Sequence, residues 1–120
     1  MATVELTSAN FDEVTSSEGT VLVDFWADWC GPCKRFAPVY ENSSEKHPDI
    51  VFGKVDTEAQ QEIAAKFEIR SIPTIMAVRD GVIVFSQPGS LPETALESLI
   101  EQVQQLDMDD VRKQLADHEH

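Results

Sequence analysis

This chain has almost no cysteine: only Cys30 and Cys33 among 120 residues. Two cysteines cannot supply the several bridges that staple a small secreted domain, so a hydrophobic core must hold the fold. Positive charge is also scarce, with nine Lys and Arg against 22 Asp and Glu and a formal net charge of −13. A surface of that sign repels phosphate backbones and anionic lipid, so neither nucleic acid nor a membrane is an expected partner. It serves solubility and suits partners with basic patches. No apolar run approaches the roughly 18 residues that a membrane-crossing helix needs. The start, Met1-Ala2-Thr3-Val4-Glu5, lacks the basic and apolar stretches of a secretory signal, and the expected location is the cytoplasm. In that reducing compartment a close cysteine pair serves catalysis or metal binding. Zinc would need four ligands, and the three histidines, His47, His118 and His120, are remote or terminal. No metal site is expected.

What is present is enough for one domain, since 42% of the 120 residues are hydrophobic. The cysteines lie in Trp29-Cys30-Gly31-Pro32-Cys33-Lys34, directly after an apolar run. A C-x-x-C pair where a strand ends and a helix begins brings two thiols close enough to bridge. The partial positive charge of a helix N-terminus favours a thiolate there, and Lys34 and Arg35 add to it. Pro32 suits the first helical turn, where its missing N–H is no loss. The stretch reads as a dithiol/disulfide redox site.

Thr20-Val21-Leu22-Val23-Asp24-Phe25-Trp26-Ala27 is apolar at both parities, as a strand covered on both faces must be, except at Asp24. A buried, unpaired carboxyl holds its proton to higher pH, which makes Asp24 a candidate proton acceptor for the second cysteine. The alternative is that Asp24 faces solvent. Phe25 and Trp26 are core or groove wall by their strand position.

The remaining pattern alternates strands and helices. Val4-Glu5-Leu6 predicts a short strand, and Thr7 or Ser8 a cap for a helix containing Phe11 and Val14. A long helix is expected from Pro32 to Lys46, kinked at Pro38 and ended by Pro48. Ile50 to Asp56 predicts a strand, and Thr57 with Gln60 a capping box opening a helix that buries Ile63 and Phe67. Strands follow at Thr74 to Val78 and Val82 to Phe85, joined by a type I′ turn at Asp80-Gly81 and therefore antiparallel. Pro92 opens a helix whose Leu96, Leu99, Ile100, Val103 and Leu106 keep helical spacing. This order implies an α/β fold with a mixed sheet flanked by helices. Beyond it, Asp107 can cap a short helix with Met108, Val111 and Leu115 on one side. The expected division is a domain over 1–106 and an acidic extension over 107–120, helical or disordered, read either as a docking tail or as a solvated end.

The residues from Val23-Asp24 through Phe25-Trp26-Ala27-Asp28-Trp29-Cys30-Gly31-Pro32-Cys33-Lys34 resemble the thioredoxin active-site signature. So do Val51–Asp56 as a third strand, Ser71-Ile72-Pro73-Thr74 as a cis-proline loop, Asp80-Gly81 as a hairpin turn and Gly89 before the last helix. The resemblance spans about residues 4 to 106. It implies a thioredoxin fold, with a central mixed sheet of about five strands and about four helices. It also implies a redox-active electron carrier with protein-disulfide reductase activity.

In that reading Cys30 attacks a substrate disulfide and Cys33 resolves the mixed disulfide. Asp24 takes the Cys33 proton and Lys54 modulates Asp24. Trp29, Ile72, Pro73 and Gly89 shape the substrate groove. Gly31 and Pro32 between the cysteines are typical of reducing members, whereas oxidising relatives carry a histidine there. Arg35 stands where the family is often apolar, with partner choice or Cys30 acidity as what it would adjust. The resemblance implies no bound cofactor, with NADPH used indirectly through a thioredoxin reductase. The implied partners are that reductase and disulfide-containing proteins, met by a monomer. The alternative is a thioredoxin-like folding helper or assembly subunit whose main role is protein binding.

Overall fold

Every residue from Thr20 to Phe25 is buried, which leaves this apolar run one place in the molecule, the middle of a covered sheet. The computed structural model describes residues 2–118. Its strands are β1 (Thr3–Glu5), β2 (Thr20–Trp26), β3 (Val51–Asp56), β4 (Thr74–Arg79) and β5 (Val82–Pro88), and its helices α1 (Phe11–Thr15), α2 (Gly31–Lys46), α3 (Gln61–Lys66), α4 (Glu93–Gln104) and α5 (Met108–His118). The strands form one sheet in the order β1-β3-β2-β4-β5. β3 runs parallel to β1 and to β2, while β4 is antiparallel to β2 and to β5. The mixed sheet expected from the sequence is present.

Two apolar clusters cover its faces. Leu22, Phe52, Ile75 and Ala77 pack with Phe36 and Tyr40 of α2 and Leu96, Leu99, Ile100 and Val103 of α4. Val21, Val23, Phe25, Val55, Met76 and Val78 pack with Phe11 of α1 and Ile63 of α3. Side chains alternate across a strand, so Asp24 and Lys54 share the α2/α4 face with Leu22 and Phe52. Asp24 and Lys54 are register partners across β2 and β3. Gly53, between Phe52 and Lys54, is required by close approach: a Cβ there would sit 2.3 Å from Leu6 Cδ1.

The ends of the elements differ from expectation in several places: α4 stops at Gln104, short of Leu106, β5 runs on to Pro88, and the starts of α3 and α1 are built differently. No capping box opens α3, because Thr57 Oγ1 donates to the Trp26 carbonyl and Gln60 Oε1 accepts from the Ser8 N–H. Each side chain is taken by a more distant backbone group, which local spacing could not reveal. Asn10, not Thr7 or Ser8, immediately precedes the first helix and makes no side-chain cap bond to it; its side chain accepts from the Thr7 N–H in the preceding turn, where Thr7 Oγ1 accepts from the Ala9 N–H. At the hairpin and at the start of α5 the local pattern holds. Asp80 and Gly81 both have positive φ, as a type I′ turn demands. Asp107 accepts from the Asp110 N–H at the start of α5, and Met108 is buried while Leu115 is exposed.

Candidate active site

Three chain segments meet at the end of the sheet where β2 finishes. β2 leads through Ala27, Asp28 and Trp29 to Cys30, the N-cap of α2. β4 starts just after Pro73 and β5 ends just before Gly89, and the Gly89 N–H donates to the Pro73 carbonyl at 2.8 Å. The Ile72–Pro73 peptide bond is cis. The Cys30 sulfur lies 3.7 Å from the Ile72 carbonyl oxygen, which joins the redox motif to the loop that precedes β4. Placement outside the carboxyl ends of parallel strands is where open α/β sheets commonly form their sites.

Cys30 and Cys33 are bonded to one another as a disulfide. The Cys33 N–H points at the Cys30 sulfur at 3.2 Å, so an orphan donor of the α2 N-terminus faces the atom that would carry negative charge on reduction. Both cysteines are only 3% exposed. Accessibility therefore does not separate them in the disulfide form; position does. Cys30 borders exposed Trp29, Gly31 and Pro32, whereas Cys33 lies on the buried face of α2 with Phe36 and Tyr40. Trp29 is 69% exposed and its indole N–H donates to Glu58 at 2.7 Å, which fixes a large apolar surface beside Cys30.

Behind the disulfide, on the sheet face that α2 covers, Asp24 is 1% exposed. Neither of its carboxyl oxygens has a hydrogen-bond partner among the described residues, and neither does the Trp26 indole nitrogen. Burial pushes the Asp24 carboxyl up to about 7 against the downward pull of Lys54. The Lys54 ammonium itself sits 4.9 Å from the centre of the Trp26 ring. Tyr40 donates its hydroxyl to the Gly53 carbonyl at 2.8 Å. Its pKa is raised by burial and further by Asp24.

All ten residues singled out from the sequence fall at this end of the molecule or directly behind it: Asp24, Trp29, Cys30, Gly31, Pro32, Cys33, Lys54, Ile72, Pro73 and Gly89. Sequence reasoning missed the parts played by Glu58 and Tyr40. Glu58 follows the end of β3 by two residues, but only the fold shows that the Trp29 indole reaches it. Tyr40 carried a signal as the sole tyrosine on the apolar stripe of α2. A cavity of about 760 Å³ lies elsewhere, between the end of α2 and α4. There Glu97 joins Ser43 and His47 by hydrogen bonds of 2.7 Å each, a helix-to-helix clasp remote from the sulfurs. Among the described residues no group of three or more His, Cys, Asp and Glu is placed to hold a metal ion, and no helix is long and apolar enough to cross a membrane.

A mixed sheet between helices, ending in a disulfide at a helix N-terminus beside a cis-proline loop, defines a dithiol/disulfide redox protein. The sequence model of the Thioredoxin family matches residues 2–102. A Streptomyces coelicolor relative whose name places it among the thioredoxins is 59% identical over 118 residues, covering 98% of this chain and 88% of that protein. Bacillus subtilis thioredoxin is 44% identical over 101 residues, 83% of this chain and 96% of its own. Among solved structures, Plasmodium falciparum thioredoxin has a TM-score of 0.75 at 41% identity, covering 82% of this chain and 96% of its own. A mutant thioredoxin from Halobacterium salinarum has a TM-score of 0.79 at 36% identity, covering 86% and 91%. This chain belongs to the thioredoxin family, and the Cys30–Cys33 pair is its redox-active disulfide.

Proposed function

We propose that the chain reduces disulfides in other proteins through Cys30 and Cys33 and is itself re-reduced by an NADPH-dependent thioredoxin reductase. In the reduced form the Cys30 thiolate attacks one sulfur of a substrate disulfide. A Cys30–substrate bond forms, the substrate S–S bond breaks, and the departing sulfur leaves as a thiolate that takes a proton from solvent. Cys33 then gives its proton to the Asp24 carboxylate, through water, and attacks Cys30. The mixed disulfide breaks, the second substrate thiolate leaves, and Cys30–Cys33 is oxidised by two electrons. The reductase returns those electrons from NADPH, and the chain needs no cofactor of its own. Such a cycle belongs in a reducing compartment, and we place the protein in the cytoplasm as a monomer.

The roles divide by position. Lys54 holds the Asp24 carboxyl near neutrality against burial, so that it can both accept and return a proton at working pH. Trp29, Ile72, Pro73 and Gly89 form the groove that seats the extended substrate around its disulfide. Gly31 and Pro32 keep a charged or histidine side chain out of the turn, which leaves the thiolate nucleophilic without making the disulfide a strong oxidant.

The observation that carries this reading is the disulfide at the N-terminus of α2, beside the Ile72 carbonyl, with the buried Asp24 carboxyl behind it. Cys33→Ser should trap a mixed disulfide with substrate, visible as a covalent adduct that added dithiol releases. Cys30→Ser should form no adduct and show no turnover. Normal turnover by Cys33→Ser would overturn the two-cysteine mechanism. The reduction potential should fall close to about −270 mV, the established value for thioredoxin.

A further inference from the structure

In a chain of net charge −13 the nine Lys and Arg are few, and four of them, together with His47, are engaged with acids. Lys46 pairs with Glu93, His47 with Glu97, Lys66 with Asp12, Arg79 with Asp80, and Arg112 with Asp80 and Asp109. Lys54 faces the Trp26 ring and Lys113 lies on α5; the remaining Lys and Arg, Lys34, Arg35 and Arg70, enter none of these pairs. All three are exposed, Lys34 and Arg35 in the part of α2 next to Cys33 and Arg70 in the loop that precedes Ile72 and Pro73. Lys34 and Arg35 follow Cys33 directly. The Arg35 guanidinium folds back along α2 to within 3.5 Å of where a Cβ on Gly31 would be, so it covers the bare backbone next to Cys30. Arg70 stands two residues before Ile72, whose carbonyl is the one 3.7 Å from the Cys30 sulfur. The nearby acids lie on the Trp29 side: Asp28 precedes Trp29, and Glu58 accepts its indole N–H. Glu68 precedes Arg70 by two residues and is not bonded to it.

We propose that Lys34, Arg35 and Arg70 form an electropositive rim that selects disulfide substrates carrying acidic residues beside the cystine. The inference rests on the reductase reading and names its substrate class. Range decides the sign. At about 0.1 M salt the Debye length is about 10 Å, so the distant acids are screened while cations beside Cys30 still act on a docked peptide. Exposed pairs of this kind are individually weak, and together they amount to about a three- to tenfold preference.

The test compares kcat/KM for peptides that share one intramolecular disulfide and carry either two aspartates or two lysines, placed on each side in turn. The ratio of acidic to basic peptide is the readout, because any effect of Arg35 on Cys30 acidity is common to both peptides and cancels. The wild type should favour the acidic peptide about three- to tenfold at about 0.1 M salt in one of the two placements, and lose the preference at about 1 M, where the Debye length is about 3 Å. The double variant Lys34→Gln, Arg35→Gln should lower the ratio at least twofold, and Arg35→Lys alone should retain most of it. A wild-type ratio of one or less in both placements, or a ratio unchanged in the double variant, overturns the proposal. An uncharged peptide with the same disulfide separates the two claims: if the wild type cannot reduce it, the reductase reading itself has failed.

Discussion

Asp24 is where burial and chemistry conflict most directly. Its carboxyl titrates near 3.8 when unfolded and at about 7 in the fold, because burial disfavours the charged form more than Lys54 favours it. Between those values the folded state holds a proton that the unfolded chain has released. Stability therefore falls as pH rises from about 4 to about 7 and levels off above that. Three pH units correspond to on the order of 4 kcal/mol. Asp24→Asn keeps the shape and removes the charge. The oxidised variant should be more stable than the wild type by up to about 4 kcal/mol at pH 8, with the gain gone at pH 4, as denaturant titrations at the two pH values would show. A gain independent of pH would place its cause outside this carboxyl. Under the proposed mechanism, in which Asp24 accepts the Cys33 proton, the same variant should slow disulfide exchange near neutrality.

The central strands owe their stability to how closely neighbouring elements approach. At Gly53 in β3, an added Cβ would meet Leu6 Cδ1 at 2.3 Å, Leu6 Cγ at 2.8 Å and the Leu22 carbonyl at 3.3 Å. Leu6 is fully buried and has nowhere to swing. The Tyr40 hydroxyl adds a bond from α2 to the Gly53 carbonyl. Gly53→Ala should therefore destabilise by about 1–3 kcal/mol through overpacking. The urea midpoint should fall with the slope unchanged, since the same surface is exposed on unfolding. An unaltered midpoint would show that β1 can move away at no cost.

Across the whole molecule, the sheet separates two poles. Cys30 lies at the pole where β2 ends and β4 begins; the Asp80-Gly81 turn and α5 lie at the other. There the Arg79 guanidinium donates to the carbonyls of Val103 at 2.7 Å and Gln104 at 3.0 Å, closing the exit of α4. Asp80 receives Arg79 and Arg112, and Met108 is 7% exposed, so α5 is docked rather than free. Exposed ion pairs of this length contribute little, and the burial of Met108 dominates the docking. Truncation after Leu106 should cost about 1–3 kcal/mol, from loss of that burial. It should leave kcat/KM for a small disulfide unchanged. A large drop in activity would mean that α5 communicates with the far pole.

Much of this protein was determined by sequence alone, and the rest required the chain to close on itself. The apolar parity of Val21 to Phe25 placed Asp24 in a covered strand, Asp80-Gly81 set an antiparallel hairpin, and Cys30-Gly31-Pro32-Cys33 announced a redox pair at a helix start. These signals are local: strand period, turn dihedrals and the reach of two thiols depend on a few consecutive residues. Only the tertiary structure decided that Thr57 and Gln60 serve Trp26 and Ser8 instead of a capping box, since several partners compete for one polar side chain. Only it brought Glu58 to the Trp29 indole and set Ile72 against the Cys30 sulfur across 42 positions of chain. Only it could show Arg35 lying over Gly31 without a carboxylate. Short-range geometry is encoded in neighbouring residues; the contents of a site depend on which distant segments the packed sheet brings together.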